Sequence, residues 1–317
     1  MNGYKFLKNP WVGPFLALLV LLLLFSFLSP DTFARSANLT TMLRQTAVLA
    51  IASVGMTLVM VQGGIDLSVG SVVAITTVVV ARALRADLGL GEVVVLGVAT
   101  GAIAGLVNGL LVNLLNITPF IVTLGTMSVL RGAAKGLANE QKIDANPRGL
   151  DAWMAPVQQG EPWLFPAGVW LAMILAALAA LFLAYTRWGR HVVAVGSNAD
   201  NARLCGISVE RVRLLVYVLA GLCAGIAGVL EFSTLTVGDP TDSVGLELEV
   251  IAAVVIGGGS LAGGQGSVAG ALLGAFLLTT IKTGCTHVGV PNWVQEIVTG
   301  VIIVVAMGVD RLRQKLR

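Results

Sequence analysis

One acidic residue stands deep inside an apolar stretch: Asp66, in GlnGlyGlyIleAspLeuSerValGlySer at 62–71. An ionised carboxylate costs several kcal/mol in hydrocarbon, so it must face a cavity, a partner or a helix N-terminus. Direct contact with a polar solute and proton transfer are the chemistries open to it. The structural alternative is capping, with Asp66 or Ser68 accepting from the first free N–H groups of the following helix. A second polar set follows: Asn108, Asn113, Asn116, Thr118, Thr123 and Thr126. Neutral amides and hydroxyls serve as hydrogen bonds between helices and equally as the lining of a path for a hydroxyl-rich solute. Asn108 and Asn116 are two helical steps of four apart, which puts them on roughly one side of a helix. Thr118 before Pro119 reads as a helix start. Glu231, Lys282 and Glu296 fall nearer the ends of their apolar segments.

Other chemistries find no residues. His191 and His287 are far apart, and Cys205, Cys223 and Cys285 are scattered and odd in number. No HExxH, CxxC or carboxylate–histidine cluster occurs, so the sequence predicts neither a metal site nor a catalytic constellation. It contains no GxxxxGK[ST] phosphate loop and no nucleophile elbow. No bound cofactor is expected, and no energy source is visible in the chain.

The elements that hold these residues are set by composition. Of 317 residues, 56% are hydrophobic and 12% charged, with a mean hydropathy of +0.88. A soluble domain carries roughly 25% charged residues, and it could not leave this much apolar surface against water. The composition excludes soluble, disordered and disulfide-scaffold classes and predicts an all-α polytopic membrane protein. Ten candidate spans are read at 12–28, 45–61, 68–84, 92–115, 118–136, 164–186, 212–235, 247–258, 266–285 and 293–309. The first lacks a signal-peptidase pattern and reads as a retained span. The 247–258 segment is short, either a half-helix or a helix whose polar start dips toward the interface. Two glycine-rich breaks interrupt the apolar run: Gly63 and Gly64 in the first; Gly257, Gly258, Gly259, Gly263 and Gly264 in the second. Irregular backbone at membrane depth survives only when buried in protein or facing water. Glycines at 101–105 and 221–228 suit close helix packing.

Basic residues orient the array. They cluster in the N-terminal tail (Lys5, Lys8), in the loop at 187–213 (Arg187, Arg190, Arg203, Arg211, Arg213) and in the C-terminal tail. With ten spans these three regions share one side, which the positive-inside rule makes cytoplasmic. Both termini are then cytoplasmic. The 137–163 loop, with Glu140, Asp144, Asp151 and Glu161, falls outside as either a solvated connector or part of a docking surface. In the 187–213 loop, Ser197 or Asn198 is placed to cap a short helix that Gly206 ends. The net charge of +3 is too small to imply a nucleic-acid partner.

Four stretches carry a resemblance: GlyGlyIleAspLeuSerValGly (63–70), ThrProPheIleValThrLeuGlyThr (118–126), GlySerAsnAlaAspAsnAlaArgLeuCysGlyIle (196–207) and AlaAlaValValIleGlyGlyGlySerLeuAlaGlyGlyGlnGly (252–266). Together, in order and over nearly the whole chain, they resemble the membrane-permease subunits of bacterial ABC importers for monosaccharides, the ribose/xylose/arabinose-type branched family. The resemblance implies one permease domain over 1–317 in the bacterial inner membrane, surrounded by lipid. It implies a second permease subunit, identical or homologous, two ATP-binding partner subunits that hydrolyse the ATP, and a periplasmic sugar-binding protein. It also implies that Gly196, Asn198, Ala202 and Gly206 contact the ATPase. The sugar stays open: a pentose, a hexose or a related polyol. From the residues alone, a self-contained secondary transporter for a small polar solute is the alternative, while an enzyme lacks its constellation.

Overall fold

The computed structural model describes residues 12–157 and 164–315. Lys5, Lys8, Glu161 and Arg317 lie outside the described residues. Twelve α-helices follow one another: α1 (Val12–Leu28), α2 (Ser36–Val61), α3 (Val69–Arg85), α4 (Leu90–Leu115), α5 (Pro119–Leu137), α6 (Ala167–Tyr185), α7 (Arg187–Ser197), α8 (Ala199–Leu204), α9 (Val209–Leu235), α10 (Leu246–Ile256), α11 (Val268–His287) and α12 (Asn292–Lys315). The strands β1 (Ile143–Asp144) and β2 (Val237–Gly238) form one short antiparallel ladder.

The chain is an all-α polytopic membrane protein. Helices α2, α4, α6, α9 and α11 are long and apolar enough to cross a bilayer, and α1 and the 292–305 part of α12 are shorter apolar helices. Each of the ten expected segments coincides with a helix. Helix α10, with 11 residues, rises about 16 Å at 1.5 Å per residue, roughly half of a ~30 Å hydrocarbon core. It is a half-helix, and the glycine-rich break at 257–267 follows it.

Helix α2 is the axis of the bundle. From Thr46 to Val61 every side chain is buried, and α9, α11, α6 and α10 pack around it. By contrast α4 and α6 turn a wide face of Leu, Val and Ile outward, with Val95, Ile103, Leu114, Ile174 and Leu178 all exposed. Such a face suits lipid or another apolar surface rather than water.

Glycine decides how closely the helices approach. On α4, Gly97, Gly101, Gly105 and Gly109 recur every four residues and form one ridge. The ridge lies against Gly221 and Gly225 of α9 and the backbone of Tyr217, making the most extensive helix pair in the bundle. A Cβ on Gly101 would collide with the carbonyl of Gly221 and the backbone of Gly225. Small residues let helix backbones touch where lipid offers no hydrophobic drive for association. The same device joins α10 to α11, where Gly257 meets Gly270 and Gly274 meets Ala253.

The described residues 138–157 between α5 and α6 are largely exposed but anchored at several points. Through β1 it pairs with β2, in register Ile143 to Gly238. Its Ile143, Leu150 and Met154 are buried. Arg85 Nε donates to the Asp144 carbonyl at 2.7 Å, and Lys142 pairs with Asp239 at 2.9 Å. The hydrogen bond to Asp239, then its charge, raises the Lys142 ammonium above its ordinary pKa. Residues 138–157 thus lie on one end of the bundle, while α7 and α8 lie at the other end.

Gly101→Val is expected to lower the unfolding midpoint of the detergent-solubilised protein, at an overpacking cost of about 1–3 kcal/mol. Gly125 of α5 has nothing within 4 Å of its missing Cβ. Gly125→Ala is expected to hold or raise the midpoint, since Ala favours helix by ~1 kcal/mol over Gly. Thermal unfolding followed by size-exclusion chromatography reads both.

Candidate functional site

Three stretches far apart in sequence meet at the end of the bundle that carries α7 and α8. Helix α2 ends at Val61, and the Gly264 N–H donates to the Val61 carbonyl at 2.8 Å. Gly63 and Gly263, one in each break, have φ of +87° and +88°, a left-handed conformation that glycine adopts without strain. A Cβ on Gly263 would stand 2.8 Å from the Gly63 Cα and 2.6 Å from the Gly196 carbonyl oxygen. Gly196, in the last turn of α7, lies against both partners: a Cβ there would collide with the Val61 carbonyl and stand 2.7 Å from the Gly264 nitrogen. The first break, the second break and the end of α7 therefore touch through backbone alone. Gly257, Gly258 and Gly259 lead into this junction and turn the chain after α10, with Gly258 at φ +90° and the Gly259 N–H on the Val254 carbonyl.

Beneath the first break lies a buried polar cluster. Asp66 is 3% exposed, and its Oδ1 accepts from the Ser68 N–H at 2.8 Å and the Ser68 hydroxyl at 2.6 Å. Asn108 of α4 donates from Nδ2 to Ser68 Oγ at 2.8 Å and reaches Asp66 Oδ2 at 3.5 Å. Thr123 of α5 donates to the Ile65 carbonyl and accepts from the Leu67 N–H. Thr123 thus serves two backbone groups of the break and Asp66 a third, while Asn108 holds the Asp66 and Ser68 side chains from α4. No Lys or Arg pairs with Asp66 among the described residues, so its carboxyl is held by neutral donors only. Its capping role is local: it closes a turn onto Ser68, whose hydroxyl is spent on Asp66 and does not cap α3.

The expected polar set does not form one lining. Asn108 and Thr123 join Asp66 and Ser68. Asn113 instead donates to the Glu210 carbonyl at 2.8 Å and pins the start of α9. Asn116 is exposed at φ +51°, because α4 ends at Leu115 and a left-handed residue leaves the helical register. The shared side expected for Asn108 and Asn116 is therefore lost. Thr118 precedes α5 without a side-chain cap bond, and Thr126 bonds back to the Thr123 carbonyl. Two residues of the cluster escaped the sequence reading. Tyr217 of α9 is fully buried, with its hydroxyl 3.5 Å from the Ile65 carbonyl. Gln62 is also buried, and a Cβ on Gly64 would stand 2.9 Å from both Gln62 Nε2 and the Tyr217 hydroxyl. A lone tyrosine in the middle of an apolar helix was the available signal, since a buried Tyr hydroxyl seeks a partner.

Helices α7 and α8 form the expected surface segment. Asn198 caps α8 by accepting from the Asn201 N–H at 2.8 Å, and Gly206 follows the helix at φ +80°. Arg203 reaches Glu210 at 2.8 Å and tethers α8 to α9. That hydrogen bond, then the Glu210 charge, raises the Arg203 guanidinium further. Asn198, Gly206 and, at 86%, Leu204 are exposed. Ala202, expected on this outer surface, is buried against the core instead, because it lies on the inward side of a single short helix.

At the opposite end, a cavity of about 660 Å³ opens between α2, α9, α11 and the 242–249 segment. Arg44, Glu231, Glu249 and Lys282 line it. None of the polar residues selected from the sequence as pathway lining borders it.

Residues 38–307 match the family described as branched-chain amino acid transport system / permease component. The chain is 38% identical to the ribose import permease protein RbsC of Escherichia coli K12, over 99% of this chain and 98% of that one. It is 37% identical to RbsC of Bacillus subtilis 168, over 95% and 92%. It is also 36% identical to the autoinducer 2 import system permease protein LsrC of Yersinia pseudotuberculosis IP 31758, over 98% and 87%. No solved structure matches the chain significantly.

Gly196→Ala is expected to cost about 1–3 kcal/mol, because the added methyl meets backbone that cannot rotate away. Gly206→Ala meets open space and costs only the left-handed strain, about 1 kcal/mol. Unfolding midpoints of the two variants, compared in one detergent, check the order.

Proposed function

As a member of the branched-chain amino acid transport system permease family, to which it belongs, this chain is, we propose, the membrane subunit of an ATP-binding-cassette importer that carries a monosaccharide across the inner membrane. The observation that carries the reading is the backbone junction of Val61, Gly196 and Gly264 beside an exposed two-helix segment. A force applied to α8 has a rigid route into both glycine-rich breaks. The relatives named as ribose permeases and the autoinducer 2 permease favour a small, hydroxyl-bearing solute.

In this reading α7 and α8 face the cytoplasm, in keeping with the basic residues at 187–213, and both termini share that side with ten spans. The capped end, with residues 138–157, receives a periplasmic sugar-binding protein. A second permease subunit, the same chain or a homologue, completes the pathway. Asn198, Leu204 and Gly206 are the exposed groups that meet the ATPase, while Gly196 and Ala202 act from inside by packing. ATP closure displaces α8, and Gly196 passes the shift to the ends of α2 and to the second break. Close-packed backbones switch between discrete arrangements rather than deform continuously. The Asp66 cluster holds the first break in shape during this movement and is a positioning element.

A self-contained secondary transporter is the second reading, and one observation favours it: Asp66 is buried without a cationic partner. The two readings part at Asp66→Asn. Asparagine still accepts from the Ser68 N–H, so ATP-dependent uptake within about 3-fold of wild type, or under 1 kcal/mol, is expected for the importer. Collapse of uptake together with loss of its proton dependence would favour the carrier.

The ATPase surface is tested at Leu204. Leu204→Glu puts a charge where an apolar side chain would be covered, and is expected to weaken ATPase co-purification tenfold or more, about 1.4 kcal/mol, at an unchanged membrane level. Full uptake by a well-expressed variant would count against the assignment.

A further inference from the structure

The cavity at the capped end differs in kind from the rest of the bundle. It lies between the first turns of α2 and the last turns of α9 and α11, and its volume of about 660 Å³ falls within the ~300–1,000 Å³ of small-molecule sites. Arg44 lines it with no ion pair among the described residues, and its Nε is buried without a hydrogen-bond partner. Glu231 faces the same space from α9. Lys282 and Glu249 form an ion pair of 2.5 Å across it, with side chains 43% and 21% exposed. Thr283 donates to Gln45 at 3.3 Å on its wall.

We propose that this cavity is a weak binding site for a neutral, hydroxyl-rich solute, with Arg44 as its principal hydrogen-bond donor. The inference rests on the importer reading and deepens it by placing the solute within the chain. Three features select the ligand class. Cations that only donate and carboxylates that only accept lie around one space, and vicinal hydroxyls, each both donor and acceptor, satisfy both kinds. Asp242, Glu231 and Glu249 outnumber Arg44 and Lys282 on the wall, so the site disfavours an anion such as a sugar phosphate. No Trp, Tyr or Phe lines it, and His287 supplies its one small ring, so a sugar ring gains little stacking and leaves readily. That suits a permease, which gains nothing from holding its cargo tightly.

The test uses the full chain in lipid nanodiscs, with Cys205, Cys223 and Cys285 replaced by Ala and Thr283→Cys as the reporter. A small charged thiol reagent labels the reporter while aldopentoses, aldohexoses, pentitols and their phosphate esters are each supplied at ~100 mM. A neutral solute with a Kd of ~10 mM slows labelling about tenfold by mass action. The expected result is protection by at least one neutral member, none by its phosphate ester, and loss of the protection when Arg44→Met is added. A Leu204→Cys reporter at the far end is expected to be unaffected by sugar. The proposal is overturned if no neutral member protects, if esters protect equally, if protection survives Arg44→Met, or if Thr283→Cys resists labelling without sugar. Uptake by the wild-type importer is measured in parallel. Protection without ATP-driven uptake would sink the importer reading and leave the site, whereas uptake without protection would sink the site alone.

Discussion

The bundle depends on contacts between bare backbones. At the α7–α8 end, the Gly264 N–H bonds the Val61 carbonyl, and Gly196 closes over both. At Gly196 and Gly263 an added Cβ would meet backbone atoms of the neighbouring segments within 2.8 Å. Side-chain rearrangement alone does little to loosen the contact, because backbone atoms make its closest approaches. Close-packed backbone of this kind has discrete arrangements, made or broken.

The rest of the architecture keeps that junction in place. Along α4 the glycine ridge draws α9 in, which brings Tyr217 over the first break and Asn108 under it. Asp66 then ties the loop to itself through Ser68, while Thr123 takes the remaining carbonyl and N–H groups. Polar groups at this depth are expensive when unpaired, so the cluster holds one shape. The two ends of the molecule differ in consequence. One is a close fit of glycines and neutral hydrogen bonds, and the other holds a roomy, charged cavity and, separately, the Lys142–Asp239 pair.

Much of the fold was legible because its signals are local. Apolar length marks a helix, and Pro119, Asn198 and Gly206 punctuate the starts and stops where they were expected. The glycine runs announced breaks. Legibility failed where a residue's meaning depends on a distant partner. Asn116, Asn113 and Thr126 look alike beside Asn108, yet Asn116 leaves α4 at its end, Asn113 bonds the start of α9 and Thr126 bonds back within α5. Ala202 belongs to a surface segment and still faces inward. The excursion at 137–163 reads as a connector until β2, almost a hundred residues later, pairs with it.

The sequence by itself determined that this chain lives in a bilayer, that two apolar runs are broken by glycine, and that a short capped helix lies between two spans. Those properties follow from composition and from neighbours within a few residues. Only the tertiary structure decided that both breaks and that helix occupy one point, and that Arg44, Glu231, Glu249 and Lys282 share a cavity at the other end. The reason is that each of these meetings joins helices whose spacing in the chain carries no record of their spacing in the bundle. Helix direction and glycine-allowed approach set the second distance, and neither is written in any one stretch of residues.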